Sequence, residues 1–264
     1  MTYLPRVAAT NDADWADLLA ELDRWDEAGR VAALWWRDDD AVAPSPALDR
    51  LLAAAAGTPL GLAVVPADAR PELATRLAAH PAVAVLHHGW CHANRAAGDR
   101  KSEYPPERHP VDVADELDEG RQRLRALFGA RALPIFVPPW NRFAPRFAPL
   151  LAEAGLTTLS QLAPRREPAP PGLAVADVHL DLVAWRTTRR FIGEAAALTG
   201  LIGALRDRRQ DDDDATAVGI LTHHLVMDAA TEDFVGRLGE IVAAHAGACW
   251  RSPGDLAAAP PGWR

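Results

Sequence analysis

Hydrophobic positions along this chain recur with two different periods, and the two alternate. Between residues 12 and 28, Trp15, Leu18, Leu19, Leu22 and Trp25 fall three and four apart, the spacing of one helical face. Asn11 or Asp12 is placed to cap that helix, and Gly29 to end it. Residues 31–36 form a short apolar run with no polar interruption, which reads as a buried strand. Pro44, Ser45 and Pro46 open a second helix through Leu48, Leu51 and Leu52, closed near Gly57. The alternation then continues. Further strands are predicted at 60–65, 83–86, 133–137, 156–160, 173–180 and 217–221, the sixth ending near Asp181. Helices are predicted at about 71–79, 111–128, 144–154 and 231–246, with another capped by Thr187 or Thr188 and carrying Phe191, Ile192, Leu198, Leu201 and Leu205.

Seven strands separated by helices predict an α/β fold with a parallel sheet, closed or nearly closed as a (β/α) barrel. An open doubly wound sheet is the alternative. The expectation is a single domain over 1–264, with 12–28 as an N-terminal helix. Residues 93–110 are polar and rich in charge and proline, the character of a long surface loop that walls or covers a site.

The polar residues are not scattered. They sit where the predicted strands stop: Arg37 with Asp38, Asp39 and Asp40; His87 to His92; Pro139, Trp140 and Asn141; Asp181; and His223 with His224. In parallel α/β folds the C-terminal ends of strands share one face, so residues far apart in sequence converge there. Taking a carboxylate out of water costs several kcal/mol unless a cation or hydrogen bonds compensate. Three aspartates closing a buried strand therefore call for a metal, a proton or a basic partner.

His88 and His92 supply a candidate. Two imidazoles four apart around a turn can ligate one divalent cation, and with one aspartate they leave open positions, the pattern of a catalytic site. A cation held in this way lowers the pKa of water near it and polarises a carbonyl. A second carboxylate beside the ligand could then take a proton from water, and His223 or His224 could protonate a leaving group.

Composition narrows the classes. A net charge of −8 argues against a general nucleic-acid binder, and the acidic run 211–214 reads as a solvated loop. No stretch has the length of a membrane span, and the first residues show no secretion signal, so the expected location is the cytoplasm. Cys91 and Cys249 are the only cysteines, and nothing requires them to pair. Trp35 and Trp36 should point to opposite faces of their strand, one into the core and the other against helices. His179 reads as locally hydrogen-bonded.

Over about residues 31–225 these motifs resemble, in order, those of the metal-dependent polysaccharide deacetylases of carbohydrate esterase family four. The family's Thr-Phe-Asp-Asp-Gly is matched by Arg37-Asp38-Asp39-Asp40-Ala41, which implies Asp39 as catalytic base and Asp40 as metal ligand. Its His-Ser/Thr-x-x-His is matched by His88 to His92, with both histidines as ligands. Its third motif is similar to Val137-Pro138-Pro139-Trp140-Asn141, implying that the Trp140 backbone N–H helps hold the oxyanion beside Pro139. The fourth corresponds to Asp181 to Trp185, a pocket wall, and Leu221-Thr222-His223 implies His223 as general acid. Trp90 and His224 are further candidates for substrate contact. The resemblance implies an irregular seven-stranded (β/α) barrel and a divalent metal, with zinc first and cobalt, nickel or manganese as alternatives.

The departures are specific. Val137 stands where the family has the arginine that orients the base, and Arg37, Arg142 or Arg186 could substitute. The third aspartate leaves the register open by one, with Asp38 as base and Asp39 as ligand the other choice, and His224 duplicates His223. The expected activity is hydrolysis of carbon–nitrogen bonds, deacetylating an N-acetylated sugar or related small N-acyl substrate, with no nucleic-acid or membrane partner. A barrel that binds carbohydrate or metal without turnover is the alternative. Oligomeric state is not legible from the chain.

Overall fold

The computed structural model describes residues 13–164, 170–213 and 216–257. The first helix, α1 (Trp15–Glu27), starts at Asp14, whose carboxylate accepts the N–H groups of Ala16 and Asp17 in a capping box. The expected caps, Asn11 and Asp12, lie outside the described residues. Strand β1 (Ala32–Ala41) leads to α2 (Pro46–Ala55), β2 (Leu60–Val64), α3 (Pro71–Leu77) and β3 (Val83–His88). The long loop follows, then α4 (Pro110–Phe128), β4 (Ala132–Val137), α5 (Ala148–Glu153) and β5 (Thr158–Leu159). After β6 (Ala174–Val175) and β7 (Leu180–Asp181) come α6 (Glu194–Gln210), β8 (Val218–Thr222) and α7 (Ala229–Ala244). The described chain closes with β9 (Ala248–Trp250) and α8 (Pro253–Leu256).

All strand pairs are parallel, in the order β6-β5-β4-β3-β2-β1-β8-β7, with β9 beside the start of β1. The ends of this sheet are joined by residues 176–179 alone, a connector that reaches at most roughly 3.5 Å per residue. The sheet therefore has to curl until its edges approach. The connector bridges the gap: the Ala176 N–H donates to Leu159 on the β5 side, and the His179 N–H to Gly219 on the β8 side. The expected barrel is the observed architecture.

Among the described residues the strands number nine rather than seven. The expected sixth strand, 173–180, is divided into β6 and β7 because the chain changes partners across the gap, and β9 is only three residues long, too short to show a period. The helix expected from Thr187 or Thr188 starts later. Gly193 holds its N-cap position with φ +93°, and the backbone carbonyls of Ala184 and Leu182 accept from Thr187, Arg189 and Ile192, which turns 184–192 into a loop. Phe191 and Ile192 still pack against the core, from outside the helix.

The two faces of β1 divide the core. Trp35 points into the barrel with Leu86, Ile135, Val137 and Leu221, and its indole N–H donates to the Asp177 carbonyl at 2.9 Å. Trp36 points out among the helices with Leu48, Leu198 and Phe234, and donates to the Thr222 hydroxyl at 2.9 Å. Residue 219 has to be glycine, since a Cβ there would lie 2.4 Å from the Trp35 indole nitrogen. Asp211 and Asp212 are exposed, as expected of that run, and Asp214 lies outside the described residues. Both cysteines are free thiols. No helix among the described residues is long and apolar enough to cross a membrane.

Candidate active site

Strand β1 ends by breaking its own pleat. Asp40 adopts φ +74°, and the pairing of β1 with β2 shifts between Asp38 and Ala41. This irregularity separates three consecutive carboxylates that regular alternation would leave on two faces. Each then meets a different partner.

Asp40 reaches the His88 and His92 turn. Its Oδ1 lies 3.0 Å from His88 Nε2 and 3.2 Å from His92 Nε2, and one donor atom from each residue falls within 4.8 Å of the others. His88 Nδ1 lies 3.0 Å from the Val137 carbonyl, which only accepts, so Nδ1 carries the proton and Nε2 is left to a cation. Burial alone would raise the Asp40 carboxyl, but the two facing imidazoles outweigh it and hold the group far below the usual carboxylate range. A carboxylate and two imidazoles converging in this way fit a divalent cation with open positions.

Asp39 turns inward and meets Arg37 from its own strand. Arg37 Nε lies 2.9 Å from Asp39 Oδ1 and Nη2 donates to Oδ2 at 3.0 Å. The remaining guanidinium bonds go to Ser160 Oγ at 2.7 Å and Asn141 Oδ1 at 2.7 Å, so strand β1, the residue that follows β5 and the turn after β4 hold one guanidinium. Arg37 has no exposed surface. Arg142, by contrast, donates to the Lys101 carbonyl, and Arg186 is exposed with no ion pair among the described residues. Of the three arginines the sequence offered, Arg37 is the one beside Asp39.

Asp38 points outward. It is fully buried and accepts from the Thr222 hydroxyl at 2.6 Å and from His224 Nδ1 at 2.5 Å. His224, expected against substrate, is only 2% exposed and is taken up by this bond, so it does not line the site. Burial lowers its pKa, but the Asp38 charge more than compensates and the net shift is upward.

His223 lies on the site side, half-buried, its ring centroid 4.7 Å from that of Trp185 with the two planes at 83°. Its charge acts on both Asp40 and Asp181. Asp181 is pushed upward mainly by burial, and its oxygens accept from the Val183 N–H at 3.0 Å and the Trp185 indole at 2.8 Å. The Trp140 ring centroid lies 4.3 Å from that of His92, in a turn where both Trp140 (φ +56°) and Asn141 (φ +55°) are left-handed. Lys101 reaches from the long loop to 5.8 Å over the Trp140 ring.

Glu103 carries no signal in the sequence. It has no exposed surface, and its carboxylate accepts from the Trp90 N–H at 3.1 Å, the Cys91 N–H at 2.8 Å and the Cys91 thiol at 3.3 Å. The loop 93–110 thereby clamps the turn that carries the two histidines. Trp90, half-buried, sits in that turn. Gly89 permits the clamp, because a Cβ on it would lie 2.1 Å from the Glu103 carboxylate and its φ is +58°. His87 faces away from the site against Gly120 and Phe136 and beside a cavity of about 30 Å³. His179 also stays outside, accepting the Gly219 N–H at 2.9 Å.

No established sequence family and no curated protein matches the chain. Solved structures do. A polysaccharide deacetylase structure from Mycobacterium smegmatis, described as putative, superposes with a TM-score of 0.61 at 17% identity, over 95% of this chain and 93% of its own. A family 4 carbohydrate esterase from Streptomyces lividans, in complex with acetate, gives 0.56 at 17% identity, covering 87% and 98%. A family 4 acetyl xylan esterase from Clostridium thermocellum, in complex with a cobalt ion, gives 0.53 at 13% identity, covering 85% and 87%. With this curled parallel sheet and these neighbours, the chain has the irregular (β/α) barrel fold of the family 4 carbohydrate esterases and polysaccharide deacetylases.

Proposed function

We propose that this chain is a divergent, metal-dependent member of that family, which hydrolyses the amide bond of an N-acetylated sugar or related small N-acyl substrate. The observation that carries the reading is the Arg37–Asp39 pair set next to Asp40, His88 and His92. It supplies a held carboxylate beside a three-donor cation site.

When bound by Asp40, His88 and His92, a divalent cation (zinc foremost, with cobalt, nickel or manganese as alternatives) supplies a Lewis acid that polarises the acyl carbonyl. Asp39 is the base. Arg37 fixes the direction of its carboxylate, so that it accepts a proton from the attacking water. The water oxygen bonds to the carbonyl carbon, and the Trp140 N–H donates to the oxygen on which negative charge develops. His223 gives a proton to the leaving nitrogen as the carbon–nitrogen bond breaks, releasing the acid and the free amine. Pro139, Trp140, Trp90 and Asp181 wall the site, and an indole face suits the apolar side of a sugar ring. The alternative of a barrel that binds without turnover drew on the missing third-motif arginine, and the Arg37 contact speaks against it.

Two variants test this. The protein purified with metal should lose it on the paired His88→Ala and His92→Ala substitutions, and unchanged metal content would sink the proposal. Asp39→Asn should keep the metal and lose hydrolysis of an N-acetylated substrate, and full activity there would remove Asp39 as the base.

A further inference from the structure

His223 has no direct anchor. Its Nδ1 is buried and without a hydrogen-bond partner among the described residues. The nearby Asp181 carboxylate is committed to Val183 and Trp185. An imidazole that must meet a leaving group in one orientation needs its backbone and ring held from elsewhere.

The residue next to it is held firmly. His224 Nδ1 bonds Asp38 Oδ1 at 2.5 Å, Thr222 on the other side bonds Asp38 Oδ2 at 2.6 Å, and the Trp36 indole donates to Thr222 at 2.9 Å. Asp38 and Thr222 are also register partners across β1 and β8. One carboxylate with no exposed surface therefore grips the residues on both sides of His223, leaving its ring to rest on the Trp185 edge.

We propose that Asp38 and His224 form a positioning pair that sets the orientation of His223 from behind the sheet. This rests on the deacetylase reading given above. It assigns a role to both residues by which this chain exceeds the family's motifs, the additional aspartate and the additional histidine. Neither touches substrate. They act through His223 alone.

A general acid matters only when the leaving group needs a proton. An N-acetylated aminosugar releases an amine and needs one, whereas 4-nitrophenyl acetate releases a stable phenolate and does not. The experiment compares both substrates for the unsubstituted protein, His224→Phe, His224→Asn and Asp38→Asn, with His223→Ala as reference. His224→Phe should lower kcat on the amide on the order of 10²-fold, the scale of general acid catalysis. KM, metal content and aryl ester hydrolysis should stay within about threefold, within the spread expected of groups outside the reacting centre. His224→Asn retains a donor at the Nδ1 position and should recover most of the rate. If His224→Phe fails to fold, Asp38→Asn, which keeps the shape, should show the same amide-selective loss. Equal losses on both substrates, or none on either, would overturn the positioning role. Failure of the unsubstituted protein to hydrolyse either substrate would instead remove the deacetylase reading itself.

Discussion

Arg37 and Asp39 lie two residues apart on one strand and face the same side of it, with guanidinium and carboxylate meeting at 2.9 Å and 3.0 Å. The base and the group that holds it thus come from a single strand end. Residue 137, where the family carries its arginine, is free to be valine and to fill the barrel interior.

Removing Arg37 leaves a buried carboxylate without its cation, which costs about 3–5 kcal/mol of stability. Arg37→Gln should lower turnover on the order of 10²-fold or more while metal content holds. Val137 faces the barrel interior, the side to which Arg37 also turns, so Arg37→Thr combined with Val137→Arg restores an arginine at the family's position. Steady-state kinetics should show partial recovery relative to Arg37→Thr alone.

Glu103→Ala strips two backbone N–H groups of the ligand turn of their acceptor, at about 1–3 kcal/mol each. The slackened turn should weaken metal binding by roughly 10–100-fold, as read by competition with a chelator of known affinity. Gly89→Ala should be worse, because the added carbon meets the same carboxylate and requires a left-handed residue. A Glu103→Ala protein with full metal affinity would show that the clamp is dispensable.

Cation and proton compete for the ligands. Burial lowers the His88 pKa, yet the charges of Asp39 and Asp40 raise it more, so in the absence of metal the imidazole tends toward its protonated form. A cation must displace that proton, and metal affinity should fall steadily as the pH drops. Titration calorimetry at several pH values should show proton release on binding. Removal of the metal by a chelator should abolish turnover and leave the barrel folded, since the core clusters do not depend on the site.

His87 sets an acid limit. Burial pushes its pKa down to about 3, so it is neutral in the folded protein while the unfolded chain titrates near 6.5. Between those values the unfolded chain binds more protons, and stability falls as the pH drops below 6.5. At pH 5 the loss is roughly 2 kcal/mol from this one group, at 1.36 kcal/mol per unit. Denaturant unfolding of His87→Leu should show a shallower decline from pH 7 to pH 5 than the parent, and parallel curves would refute the assignment.

Much of the architecture was legible in the chain because burial imposes a period. Leu18, Leu22 and Trp25 mark the inner face of α1, and the apolar run before Arg37 marks a strand covered on both sides. The break of 173–180 was not legible, since what divides it is a change of strand partner, which the order of residues does not record. Phe191 and Ile192 continue the helical spacing of α6, but Gly193 excludes them from it.

At the site, His88 and His92 announced themselves by spacing, and the three aspartates by the cost of burying them. Which aspartate does what could not follow from sequence, because consecutive residues differ only in the direction they point. Asp40 turns to the histidines through a left-handed backbone, Asp39 turns in to Arg37, and Asp38 turns out to His224. Glu103 carried no signal, because a carboxylate in a polar loop looks solvated until the loop folds over the turn.

The sequence by itself therefore determined which residues are apolar, where strands and helices alternate, and that the polar clusters gather at one end of a barrel. Only the tertiary structure decided the pairing of charges. Periodicity reports the environment of a position relative to its own strand or helix. The partner of a buried charge is set by residues such as Ser160, Asn141 and His224, more than a hundred positions away, that the closing sheet brings within hydrogen-bond distance.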